Sequence, residues 1–211
     1  SAIYRAAISQ LRLKRLQMAT DLFVSALSKI EILESQGQGN SAFDGLKNNS
    51  EEFDLVQEIW FMLVDIALEA NRVEEAASAL KKLRSRSRMG LLAAEAGLKY
   101  GNYLVVHGSP EMGLNTFRQV ALDNEGASVG MRALLAAGQV AEDLGHHSDA
   151  ADSYWDILIA DHDTGLSDQA LEGFSNSFFS IGAVGAESYY IAAKEDEGTN
   201  LSPYVRARVL H

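Results

Sequence analysis

The chain has 211 residues, 47% of them hydrophobic, with 2 prolines and no cysteine; its length suits one or two compact domains or a short repeat array, and its composition excludes a disordered chain. Without cysteine there is no disulfide framework, thiolate zinc site or thiol nucleophile, and the redox compartment is left open. The net charge of −11 is uneven: residues 1–98 carry 12 Lys/Arg against 13 Asp/Glu, residues 99–198 only 4 against 16, which disfavours nucleic acid and anionic membrane as partners of the acidic part.

No run approaches the roughly 18 apolar residues of a bilayer span, and no signal-peptide pattern is visible. A soluble segment, cytoplasmic or periplasmic, is expected. The chain opens within a helical pattern at Ser1 and closes as another begins, so a piece cut from a longer protein is expected.

In residues 1–33, Ala6, Ala7 and Leu11 share one helical stripe, and Ala19, Phe23 and Ala26 a second. Lys14 and Arg15 hold the turn between them, where glycine would be more usual. Residues 34–50 contain Gly37, Gly39, Gly45, Asn40, Asn48 and Asn49, with Phe43 and Leu46 as apolar anchors. This composition predicts an exposed, flexible inserted loop. Asn48-Asn49-Ser50 and Asn200-Leu201-Ser202 match the glycosylation acceptor, a motif short enough to recur by chance. Ser50, Glu51 and Glu52 then read as a helix start, with acids at the positive end of the dipole.

Four units follow in phase. The first has Trp60-x2-Leu63 and Ala67, a turn at Asn71, then Ala76-x3-Leu80-x2-Leu83. The second has Gly97, Tyr100, Gly101 and Leu104, a turn at Gly108, then Gly113-x3-Phe117-x2-Val120, with Ser109-Pro110-Glu111 opening its second helix. The third, within Met131–His162, has Leu134, Ala137, Gly138 and Ala141, a turn at Gly145, then Ala150, Tyr154 and Ile157. The fourth has Leu171, Phe174 and Phe178, a turn at Gly182, then Ala186-x3-Tyr190-x2-Ala193. Leu201-Ser202-Pro203-Tyr204 starts a last helix that could cap the array. The turn residues Asn71, Gly108, Gly145 and Gly182 are each 37 residues apart, and Ala76, Gly113, Ala150 and Ala186 are spaced 37, 37 and 36.

This pattern resembles the tetratricopeptide repeat (TPR) or a TPR-like helical repeat, whose signature is W-x2-L-G-x2-Y…A-x3-F over about 34 residues. The longer period, the absence of the terminal proline and Val64 at a usually small position are departures. The resemblance implies an all-α fold, a right-handed α-solenoid of antiparallel helix pairs. It would comprise a first unit over 1–33, the inserted loop 34–50, four units over 51–200 and the start of a capping helix over 201–211, all in a single solenoid domain. One pair cannot bury its own apolar face, so neighbours stack. Trp60, Phe117, Tyr154, Phe174, Phe178 and Tyr190 are the expected core.

In the family, the first helix of each pair lines a concave, peptide-binding groove. Helical phase assigns that face to Glu58, Phe61, Asp65 and Leu68; Glu95, Leu98, Asn102 and Val105; Arg132, Leu135, Gln139 and Glu142; and Gln169, Glu172, Asn176 and Phe179. Family members that clamp acidic tails use several Lys, Arg and Asn there. Here Arg132, Asn102 and Asn176 stand beside four glutamates, so a basic or amphipathic partner segment fits better.

Catalytic chemistry is not indicated. His146-His147 sits in a turn and reads as two polar residues facing solvent. Asp161-His162-Asp163 has ligand-type side chains but no partner cluster in sequence. Neither GxGxxG nor GxxxxGK[ST] occurs, and nothing assembles Ser, His and Asp for nucleophilic catalysis. The basic run Lys81–Arg88 lacks interleaved aromatics and reads as a solvated helix end. No cofactor, metal or catalytic residue is expected. The function implied is a non-enzymatic protein-interaction scaffold within a larger assembly. Its alternatives are a regulatory sensor domain of a larger signalling protein or enzyme, and a self-assembling scaffold joined through Tyr204, Val205, Val209 and Leu210.

Overall fold

The helices follow from the pattern of small and apolar residues, and their ends follow from one recurring turn. The structure, a computed structural model, describes residues 2–35, 55–87, 90–160, 165–195 and Arg206. These hold nine helices and no strand: α1 (Ala2–Arg12), α2 (Leu16–Ser35), α3 (Leu55–Glu69), α4 (Val73–Arg86), α5 (Leu91–Val106), α6 (Pro110–Asp123), α7 (Ser128–Asp143), α8 (His147–Ala160) and α9 (Ser167–Glu195). The chain divides into two compact units, residues 1–96 and 97–211. In the first, α1 packs on α2, α2 on α3 and α3 on α4; in the second, α6, α7, α8 and α9 pack in succession and α9 also reaches α7. This is an all-α fold of helix pairs. Glu34 and Ser35 belong to α2; the rest of the expected loop, the helix start at Ser50, both glycosylation motifs and the expected cap over 201–211, Arg206 apart, lie outside the described residues.

Four turns share one hydrogen-bond pattern. Lys14, Asn71, Gly108 and Gly145 have φ of 54°, 58°, 83° and 77°. Asn71 donates its N–H to Leu68 O (3.0 Å) and Arg72 to Ala67 O (2.8 Å), the paired bonds of a Schellman helix end. Lys14/Arg15, Gly108/Ser109 and Gly145/His146 repeat both bonds. The residue that closes each turn also starts the next helix: Arg15, Arg72, Ser109 and His146 accept the N–H of Ala19, Ala76, Gly113 and Ala150, each at 3.0 Å. A two-residue reversal thus folds each second helix back on the first. Ser109 caps α6 through its carbonyl, with Pro110 behind it, and makes no side-chain cap bond.

The small residues let the paired helices approach. A Cβ on Gly138 of α7 would lie 2.6 Å from the Tyr154 ring, and one on Gly173 of α9 would also meet that ring. Tyr154, 2% exposed, therefore fills a slot whose walls are two glycine backbones. One repeat earlier, Gly101 opposes Phe117 at 2.5 Å by the same construction. One repeat before that, the equivalent positions are Val64 and Leu80, both buried. The larger residue on the first helix is matched by a smaller one on the second, which conserves volume in a close-packed core. That accounts for the departure at Val64.

The last pair departs from the register. α9 is two helices joined at Gly182, where φ is 74° and ψ 175°, a combination open essentially to glycine alone. The expected turn is present, but its backbone differs from the other four. Beyond it Tyr190 is exposed, contrary to the expected core, and Tyr189 is buried in its place. The Tyr189 ring packs edge-on against Trp155 and Phe174, with centroids at 5.5 and 5.2 Å, and Phe178 adjoins Phe174. Trp60 and Phe178 are half-buried, whereas Phe117, Tyr154 and Phe174 are fully buried as expected. In the first pair Ala7 is buried and Ala6 exposed, so the stripe runs through Tyr4, Ala7 and Leu11.

Ser177 is fully buried in α9, and its hydroxyl has no hydrogen-bond partner among the described residues. An unsatisfied buried hydroxyl costs about 1–3 kcal/mol. Ser177→Ala is therefore expected to raise the urea midpoint of unfolding, by about 1 kcal/mol of stability; a loss of stability would show that the hydroxyl has a partner.

Candidate functional site

The residues expected to line the groove lie on α3, α5, α7 and α9, in unequal environments. In residues 1–96, Glu58, Phe61, Asp65 and Leu68 of α3 and Glu95 of α5 are all half-buried. One Glu58 oxygen takes a hydrogen bond from Tyr4, whose hydroxyl pKa is raised by burial and then by that carboxylate; Glu58 Oε2 is buried without a partner among the described residues. Phe61, Asp65 and Glu95 have partners within the chain. These side chains are engaged in the fold.

Residues 97–211 present the more open face. Leu98 is 6% exposed and belongs to the core. Asn102, Arg132, Gln139, Gln169, Glu172 and Asn176 are exposed, and Val105, Leu135 and Glu142 are half-buried. Phe179, 82% exposed, is the most exposed large apolar side chain among the described residues. Arg132 has a partner within the chain. Glu142 accepts a hydrogen bond from the Tyr154 hydroxyl at 3.1 Å. Burial and the Glu142 charge raise the Tyr154 pKa, so the phenol stays protonated and keeps this bond. Exposed polar groups on α7 and α9, two helices in contact, share those helices with half-buried Leu135 and exposed Phe179.

A different cleft, of about 470 Å³, lies between α6, α7 and α8 in the same unit. Its lining includes Ala121, Met131 and Leu134 together with Glu125, Asp149, Asp152, Asp156 and Arg118. Arg118 Nη2 pairs with Asp149 Oδ2 at 2.7 Å, and Tyr189 donates to Asp152 Oδ1 at 2.5 Å. The Asp156 pKa is raised by burial first, then by the charges of Asp152 and Glu125. Folding therefore favours the protonated acid. The cost of ionising it is absent at low pH and appears as pH rises past the ordinary carboxylate range. Asp156→Asn is expected to raise the melting temperature near pH 7 and leave it unchanged near pH 3, by less than about 1 kcal/mol because solvent screens this exposed group. A lower melting temperature at pH 7 would show that ionised Asp156 stabilises the fold.

The helix pairs are TPR-like. That follows from the shared turn, the opposed small and large residues, and the 37-residue register. No protein-family model and no curated protein matches the chain. Among solved structures, a thermophilic TPR protein of Thermus thermophilus aligns over 99% of this chain and 95% of its own, at 18% identity and a TM-score of 0.41.

His146 is exposed, 3.7 Å from Glu111, and His147 opens α8 with Nδ1 unpartnered among the described residues. Asp161-His162-Asp163 lies outside the described residues. Lys81, Lys82 and Arg86 are exposed along the end of α4, where Ser87 N–H closes on Leu83 O. Among the described residues no group of three or more His, Asp or Glu is placed to hold a metal, and no helix is long and apolar enough to cross a membrane.

Proposed function

We propose that the chain is a non-enzymatic interaction scaffold and that the first-helix face of residues 97–211 holds a basic or amphipathic segment of a partner protein within a larger assembly. The observation that carries this reading is Phe179, 82% exposed in a face that also offers Asn102, Gln139, Gln169, Glu172 and Asn176. A protruding aromatic rimmed by polar side chains is the usual composition of an interaction surface, where aromatic anchors carry much of the binding energy. Glutamate on this face favours a cationic segment, and the surrounding acidic charge speeds its approach. Val105 and Leu135 supply the apolar contacts between.

The test is fluorescence anisotropy with a labelled amphipathic peptide of alternating leucine and arginine. Phe179→Ser/Glu172→Lys changes two exposed side chains and gives up one edge-on ring contact, Phe179 to Phe178 at 6.1 Å, and the helical signal is expected to persist. Binding is expected to weaken at least about tenfold, which is about 1.4 kcal/mol. Equal affinity of the two proteins would place the contact elsewhere. Leu98→Glu is no substitute, because charging a side chain that is 6% exposed attacks the core.

A further inference from the structure

The cleft between α6, α7 and α8 shares no residue with the first-helix face and has an internal charge balance of its own. Two of its four carboxylates are answered inside the fold: Asp149 by Arg118 at 2.7 Å, and Asp152 by the Tyr189 hydroxyl at 2.5 Å. Glu125 and Asp156 have neither a hydrogen bond nor an ion pair among the described residues. Asp156, exposed as a residue, has its pKa raised by partial desolvation and then by the charges of Asp152 and Glu125. The apolar lining is open as well: Leu122 is 74% exposed and Ile159 37%. The cleft therefore keeps apolar surface in water and carries uncompensated negative charge, two features that lower stability and that one occupant would relieve.

We propose that this cleft is a second recognition site, which takes an arginine side chain of a partner polypeptide together with an adjoining aliphatic residue. The guanidinium would lie between Glu125 and Asp156, where its planar donors suit carboxylates. The arginine stem and the neighbouring aliphatic group would cover Leu122 and Ile159, as long cationic side chains do on apolar surface. Charge complementarity selects this occupant over an acidic or purely apolar one. At about 470 Å³ the cleft has room for both groups.

The full chain, labelled with 15N, is titrated with the peptide acetyl-Leu-Arg-Ile-Arg-Leu-amide and followed by amide chemical shift. Saturable shifts are expected at Leu122, Gly126 and Gly130. Glu125→Gln/Asp156→Asn keeps both internal bonds of the cleft and is expected to weaken those shifts' apparent affinity at least about tenfold. Spermidine has the charge without the aliphatic side chains and is expected to bind at least about tenfold more weakly. Shifts confined to the first-helix face, near Gln139 and Asn176, would overturn the second site while leaving the function proposed above intact. Undiminished affinity in the double variant would also overturn it, and equal affinity for spermidine would overturn the assignment to a polypeptide.

Discussion

Tyr154→Ala is expected to destabilise residues 97–211 by about 3–5 kcal/mol, the range for truncating a fully buried aromatic. Its ring is clasped between the backbones of Gly138 and Gly173, and neither of those two contacts offers a side chain to refill the space. The vacated slot would couple α7, α8 and α9 in one loss, because repeat stability is built from neighbour interfaces. Tyr154→Phe keeps the ring and removes only the hydrogen bond to Glu142, so it is expected to cost about 1 kcal/mol. Urea unfolding followed by far-UV circular dichroism separates the two variants. A loss below about 1 kcal/mol for Tyr154→Ala would mean that the ring is not the keystone of this unit.

Gly101→Val is expected to cost at least about 3 kcal/mol, beyond the usual 1–3 for overpacking, because even the Cβ of the new side chain would lie 2.5 Å from the Phe117 ring. Adding Phe117→Leu recreates at this repeat the valine–leucine pair found at Val64 and Leu80. The double variant is expected to recover part of the loss, with a coupling of about 1–3 kcal/mol in its favour. Additive effects would show that Val64/Leu80 and Gly101/Phe117 are not interchangeable solutions of one packing problem.

The turns were the most legible part of the chain. Asn71, Gly108 and Gly145 announce left-handed backbone by residue type and stand 37 residues apart; Lys14 lies 57 residues before Asn71, outside that spacing, and is their counterpart because Ala19 follows it at the same five-residue distance as Ala76 follows Asn71, although its side chain disfavours that conformation. Gly182 is legible as a break, but residue type does not reveal ψ. Its value of 175° changes how the following helix sets out, and one position along a helix is about 100° of rotation, enough to bring Tyr189 inward and leave Tyr190 outside. Trp155 was invisible as a core contact because its partners, Phe174 and Tyr189, lie on the next helix.

The candidate face was legible in outline and not in depth. Phe61, Leu98 and Leu135 occupy one repeat position, yet Leu98 is buried and the others are half-buried. Helical phase names the direction of a side chain and says nothing of what stands in front of it. The acidic cleft was legible only as composition. Glu125, Asp149, Asp152 and Asp156 come from a loop and a helix, and only folding brings them into one cleft.

The most direct test of the proposed function is site-specific photocrosslinking in the source cell, with a photoreactive phenylalanine analogue placed in turn at Gln139, Asn176 and Glu111. All three positions are exposed; the first two lie on the first-helix face and the third on α6. Adducts of one and the same polypeptide from Gln139 and Asn176, and none from Glu111, are the predicted result. No adduct from Gln139 or Asn176, or the same adduct from Glu111, would contradict the assignment of that face as the binding surface.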